Sequence, residues 1–237
     1  MRWAVRRTTI VSARRSLMSI DLVICALVLV AIQLRISATL LSLRGRVVLA
    51  CVVFVWSLLP YPWGLGAWVL SYLAGFSITS GLLAMLAIQH RMVGHYWLPV
   101  RELRTACRML VLMALWFYPM SMGSSYEDPY SLGFGSFGFS TALLLIGLLA
   151  WVTRAYASCL ILVVAQCVFR AGWLASDNLW DYLMDPWLVC WAVGWLLRDR
   201  LLSARALLAQ QSSTQPSAAG WGETGATEAA GQSKATT

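Results

Sequence analysis

TALLLIGLLAWV, residues 141–152, decides what kind of fold this chain can adopt. As a helix the stretch is apolar on every face, and it lacks the polar–apolar alternation of a half-buried strand. A helix of that kind has to be covered on all sides, by protein or by lipid. Runs of similar character recur at 20–34, 47–59, 67–88, 105–122, 133–152, 155–174 and 186–197. Of 237 residues, 59% are hydrophobic and 12% charged, about half the ~25% charge of soluble domains. One water-soluble core could not hide so many apolar runs. The expected fold is all-α, a polytopic integral membrane protein with six or seven transmembrane helices. Residues 1–19 form a basic N-terminal segment, 20–205 the helical membrane domain and 206–237 a disordered cytoplasmic tail. Transmembrane barrels need strands of alternating polarity, and the sequence has none.

Length sorts these runs. Spanning a hydrocarbon core of ~30 Å takes about 20 helical residues. The runs at 67–88, 133–152 and 155–174 meet that length, whereas 20–34, 47–59 and 186–197 fall short. The short ones must borrow polar neighbours at their ends or lie in a thinned bilayer. The segment 20–34 is read as a first membrane helix and not as a signal peptide, because no convincing small-residue cleavage site follows it.

The net charge of +8 comes from 17 Arg and one Lys against 10 acids. The arginines sit between apolar runs, as positive-inside topology places them, so no nucleic-acid partner is expected. The bias of Arg over Lys suggests a GC-rich bacterial genome, and with the charge pattern the expectation is a bacterial inner membrane, multi-pass, with LLRDRLLSAR and the C-terminus in the cytoplasm. SDNLWDYLMD and SSYEDPY then face outward, and Arg91, Arg101, Arg104 and Arg154 inward. The arginines of MRWAVRRTTIVSARRS break the pattern if 20–34 spans. The six Cys read as small buried hydrophobes, because none forms CxxC. No cofactor is expected.

SDNLWDYLMDPW, residues 176–187, is the stretch out of keeping with this lipid-suited chain. Asp177, Asp181 and Asp185 are four apart and would share a face of one helix. In the plainer reading Ser176 caps a short surface helix and Asp185-Pro186 starts the last membrane helix. Trp180, Tyr182 and Trp187 then anchor at the interface. In the sharper reading Asp181 and Asp185 lie below the headgroups, where acids are costly and are paired or functional. Arg170, at the end of the preceding run, is the candidate ion-pair partner. The D-x3-D-x3-D spacing resembles the metal-binding aspartates of CDP-alcohol phosphotransferases and UbiA-type prenyltransferases. The chain lacks the DGxxAR motif of the first family and the second acidic motif of the other, so neither is assigned.

SSYEDPYSLGFGSFGFS offers a second outer loop, with Glu127 and Asp128 as candidate residues. Its Gly133, Gly135 and Gly138 match GxGxxG by letter only, since no strand precedes them. They read as small residues for close helix packing. His90 and His95, five apart, read as loop histidines and not as metal ligands. Trp187, Trp191 and Trp195 make a ridge on the last helix of this tryptophan-rich chain, for a neighbouring helix or subunit.

No catalytic signature stands out, and no metal site. The functional expectation is a non-catalytic accessory or subunit of a membrane assembly, with the lipid bilayer and a membrane protein or a second copy as partners. One alternative is a small ion-coupled transporter using Asp177, Asp181 and Asp185 with Arg170. The other is a metal-dependent membrane enzyme acting on a lipid-linked substrate.

Overall fold

The computed structural model describes residues 20–95, 97–124 and 128–214. Glu127 and the basic N-terminal segment lie outside the described residues, as do residues 215–237. Among those described, every regular element is helical, so the all-α expectation holds.

The chain runs through α1 (residues 20–36), α2 (Leu43–Leu58), α3 (Leu65–Leu73) and α4 (Ile78–Val93). Then come α5 (Val100–Pro119), α6 (Phe137–Val152), α7 (Tyr156–Arg170), α8 (Leu179–Leu183) and α9 (Pro186–Thr214). The boundaries follow local chemistry. Ser42, Ser77 and Ser136 cap α2, α4 and α6, each accepting a backbone N–H inside the first turn. Gly94, left-handed at φ 78°, closes α4. Pro119 ends the regular part of α5, and a π turn, Met120–Ser124, carries the chain out through Gly123 at φ 85°.

The described residues up to Leu196 form one compact unit. In its main core Ile24 and Cys25 of α1 pack with Phe76 and Ile78, with Ala165 and Val168 of α7, and with Leu179 and Tyr182 of α8. A second cluster joins Val30 and Leu34 of α1 to Ala50 of α2, with Ile88 of α4 against it. Helices α1 and α4 therefore run side by side in the same direction. Helix α7 runs against them, because its end packs on α8: the Phe169 and Tyr182 rings meet edge to face at 5.2 Å. From Leu197 the chain belongs to a second unit, whose described part is the rest of the α9 helix.

Two expectations need correction. The run 67–88, which looks long enough to span, is two helices: Ala74 leaves the helical region at φ 61°, and Ser77 caps a new start. The tail was expected from 206, yet α9 continues to Thr214 because ALLAQQ consists of strong helix formers. Among the described residues one helix, Val100–Gly123 with 24 residues, is long and apolar enough to cross a membrane. Helices α6 and α7 are apolar but shorter.

Candidate functional site

The stretch 176–187 does not form one helix, and its three aspartates do not share a face. Asn178, not Ser176, is the N-cap of α8, its Oδ1 accepting from the Trp180 N–H at 3.0 Å. After five residues α8 stops, and Met184 is extended at φ −147°, ψ 149°. The aspartates then diverge. Asp177 is exposed in the loop before the cap. Asp181 turns toward the loop of Tyr130. Asp185 turns into the core and is 6% exposed.

Asp185 joins two helix starts. Its Oδ1 accepts from the Leu188 N–H at 2.8 Å, and its backbone carbonyl accepts from Val189, so it is the N-cap of α9 with Pro186 at the first helical position. The sequence reading of Asp185-Pro186 as a helix start is met. Its Oδ2 reaches across to α4, accepting from the Ser77 N–H at 2.9 Å and the Ser80 hydroxyl at 2.5 Å. Ser77 in turn caps α4 through Ser80. One acidic side chain thus satisfies orphan donors of two helices whose N-termini meet, which is where the helix dipoles favour negative charge.

Asp181 is the hub of a second network. Its Oδ2 accepts from the Ser176 hydroxyl at 2.5 Å and the Tyr130 hydroxyl at 3.2 Å. Burial, and then the nearby Asp181, hold the Tyr130 hydroxyl above its usual pKa of 10.0. The Asn178 amide donates to the Tyr130 carbonyl, and the Trp180 indole N–H donates to the Pro129 carbonyl, each at 2.9 Å. These bonds stitch α8 onto the 3-10 turn Pro129–Gly133, which Asp128 caps by accepting from the Tyr130 N–H. Trp180 lies between Phe117 and Phe139, each ring centroid 4.5 Å away, and so is closed to a substrate. Tyr182 is buried too, its hydroxyl bonded to the Leu174 N–H. Of the three expected interfacial anchors, only Trp187 is exposed.

Arg170, exposed in the last turn of α7, makes no ion pair with any of the three aspartates. Its charge suits the carboxyl end of its own helix. Among the described residues no group of three or more His, Cys, Asp or Glu could hold a metal ion. His90 belongs to the last turn of α4 and His95 to the loop beyond it.

The sequence reading missed several members of this junction. Gly133 is a close-packing glycine whose neighbour is α8: a Cβ there would overlap the Asn178 side chain and come within 2.7 Å of the Trp180 ring. Ser77 and Ser80 carry a recognisable signal, a serine following Gly75 and opening ITSGLLAMLAI, that the apolar run obscured. Glu102 is a further acid at work in the fold. It lies in α5, and its Oε1 accepts from the Ser158 N–H at 2.6 Å, which caps α7 where Ala155 offers no side-chain cap.

What the arrangement does chemically is saturate its own polar groups. No family model matches the chain, and no curated protein or solved structure matches it either.

Proposed function

We propose that this chain is a multi-pass membrane protein whose role is interaction, as a non-catalytic accessory or subunit of a membrane assembly. The observation behind the reading is α6. This helix is apolar on every face, yet only Ser140, Leu143 and Gly147 of it are buried. Phe137 is 81% exposed and Val152 70%. Water is a poor covering for such a surface, whereas lipid and a neighbouring protein both suit it. The outward side of α5, with Met109, Leu112 and Leu115, has the same character. In this reading α1, α2, α4, α5, α6, α7 and the start of α9 each traverse the bilayer, and the short helices need a thinned bilayer or protein neighbours at their ends. The membrane is a bacterial inner membrane, and the basic LLRDRLLSAR places the C-terminus in the cytoplasm.

The junction favours interaction over the carrier and the enzyme. Both oxygens of Asp185 and the Oδ2 of Asp181 already take bonds from serine, tyrosine and backbone donors.

The test is affinity capture of the full chain at native abundance from gently solubilised membranes, read by mass spectrometry. A stoichiometric membrane-protein partner is expected. A monodisperse protein running alone would sink the subunit reading. Release of the chain from membranes by alkaline carbonate would sink the membrane reading itself.

A further inference from the structure

The fold sorts its charges by end. The starts of α4 and α9 and the end of α7 meet around α8, as the bonds of Asp185, Thr79 and Tyr182 show. That end holds Asp128, Asp177, Asp181 and Asp185, with Arg170 as its basic residue among those described. The opposite ends of the same helices gather elsewhere. The Arg91 guanidinium, in the last turn of α4, donates to the Leu34 carbonyl at the end of α1, at 3.0 Å. Arg46, in the first turn of α2, donates to the Leu41 carbonyl of the loop that follows α1. Glu102 ties the start of α5 to the start of α7. Because α7 runs against α4, both sets belong to one end.

Arg35, Arg44, Arg101, Arg108 and Arg154 are exposed there. Arg101 and Arg108 are seven apart, two turns along one face of α5. Glu102 is the acid at this end among the described residues up to Leu196, and its Oε1 is taken by the Ser158 N–H. None of the five guanidiniums pairs with a carboxylate among the described residues. Between them stand exposed apolar and aromatic side chains: Ile36, Leu40, Val93, Trp97, Trp151 and Tyr156. A free anion needs only the charge. Arginines interleaved with Trp, Tyr and aliphatic groups fit a surface that is anionic at one depth and hydrocarbon a few ångströms below.

We infer that this arginine end is a binding surface for anionic phospholipid headgroups. The inference rests on the membrane reading above, since it needs the bilayer edge at this height. Its chemistry is specific: the phosphate and the net negative charge of the headgroup engage the guanidiniums, and the aromatic rings sit at the glycerol level.

The experiment is native mass spectrometry of the full chain in mild detergent, titrated with phosphatidylglycerol and separately with phosphatidylcholine. Phosphatidylglycerol should bind at least about tenfold more tightly, since each arginine near the surface adds roughly fivefold. The triple variant Arg44→Gln, Arg101→Gln, Arg154→Gln should lose about a hundredfold of that affinity by the same measure. Arg170→Gln, at the other end, should change nothing. Raising salt should release the lipid from the unmodified chain, a check that needs no variant. Equal binding of the two lipids overturns the inference, as does an unaffected triple variant. Displacement of phosphatidylglycerol by inorganic phosphate at matched ionic strength also overturns it, in favour of a free-anion site. These outcomes are separable from failure of the membrane reading, which carbonate extraction reports on its own.

Discussion

The aspartate end and the arginine end of residues 20–196 use charge in opposite ways. At the aspartate end, both oxygens of the buried Asp185 and the Oδ2 of half-buried Asp181 are taken by donors of the same chain. At the arginine end, the guanidiniums of Arg35, Arg44, Arg101, Arg108 and Arg154 are exposed and pair with no acid among the described residues. Short acidic side chains suit the first task, because they reach only the nearest N–H groups and can be buried once satisfied. Long arginine side chains suit the second, because their stems cover apolar surface while the heads stay wet. Substitutions at the aspartate end should therefore cost stability, and those at the arginine end should cost binding.

The largest effect is expected at Asp185. Asp185→Ala leaves the Ser77 N–H, the Leu188 N–H and the Ser80 hydroxyl without their acceptor in a buried place. At ~1–3 kcal/mol per unsatisfied donor, partly relieved by relaxation, the loss should be roughly 3–5 kcal/mol. Thermal unfolding followed by far-UV circular dichroism in detergent measures it. Asp185→Asn keeps one acceptor oxygen and should lose about half as much. Equal stability of Asp185→Ala and the parent chain would remove the aspartate end from the comparison. Gly133→Ala comes next. Its Cβ overlaps the amide of Asn178, which is fully buried and held at both ends by hydrogen bonds. Overpacking of this kind costs about 1–3 kcal/mol, and the same melting experiment checks it.

Some of this was legible in the sequence. The helical class follows from residues 141–152 alone, and Asp185-Pro186 announces a helix start by its chemistry. The three-aspartate face failed because a spacing of four implies a shared face only if one helix continues. Asn178 starts that helix late, and Met184 leaves it before Asp185. The split at Ala74 was hidden because Gly75 and Ser77 sit inside a run that stays apolar on both sides. Tertiary partners such as Ser77 for Asp185, or Ser158 for Glu102, are separated by 108 and 56 residues. Nothing in local pattern marks a cap supplied from that far away.

Glu102 is the exception that sharpens the contrast, an inward-working acid at the arginine end. Glu102→Ala should remove the side chain that caps the start of α7 and cost about 1 kcal/mol. Glu102→Gln, which keeps an acceptor, should cost a few tenths. By contrast Arg101→Gln and Arg108→Gln should each stay within about 0.5 kcal/mol of the parent. If the arginine variants melt as early as Glu102→Ala, the division between folding charges and binding charges is lost.

An effect of about the size of Glu102→Ala, and the one with a pH signature, is at Tyr130. Its hydroxyl donates to Asp181 Oδ2, and burial together with that neighbour holds its pKa above the usual 10.0. A folded pKa raised above the unfolded one means that the neutral phenol is favoured in the fold. Its stabilising contribution is then complete below about pH 10 and disappears as pH climbs through the raised folded value. Tyr130→Phe removes the donor and should cost roughly 0.5–1.5 kcal/mol at neutral pH, with Ser176 still bonded to Asp181. Melting temperatures of the parent and Tyr130→Phe, measured from pH 7 to 11, should therefore differ most at neutral pH and converge on the alkaline side. The other tyrosines are common to both chains and cancel in the difference. Parallel curves would mean that the hydroxyl contributes nothing that ionisation can remove, and that Asp181 is held by Ser176 alone.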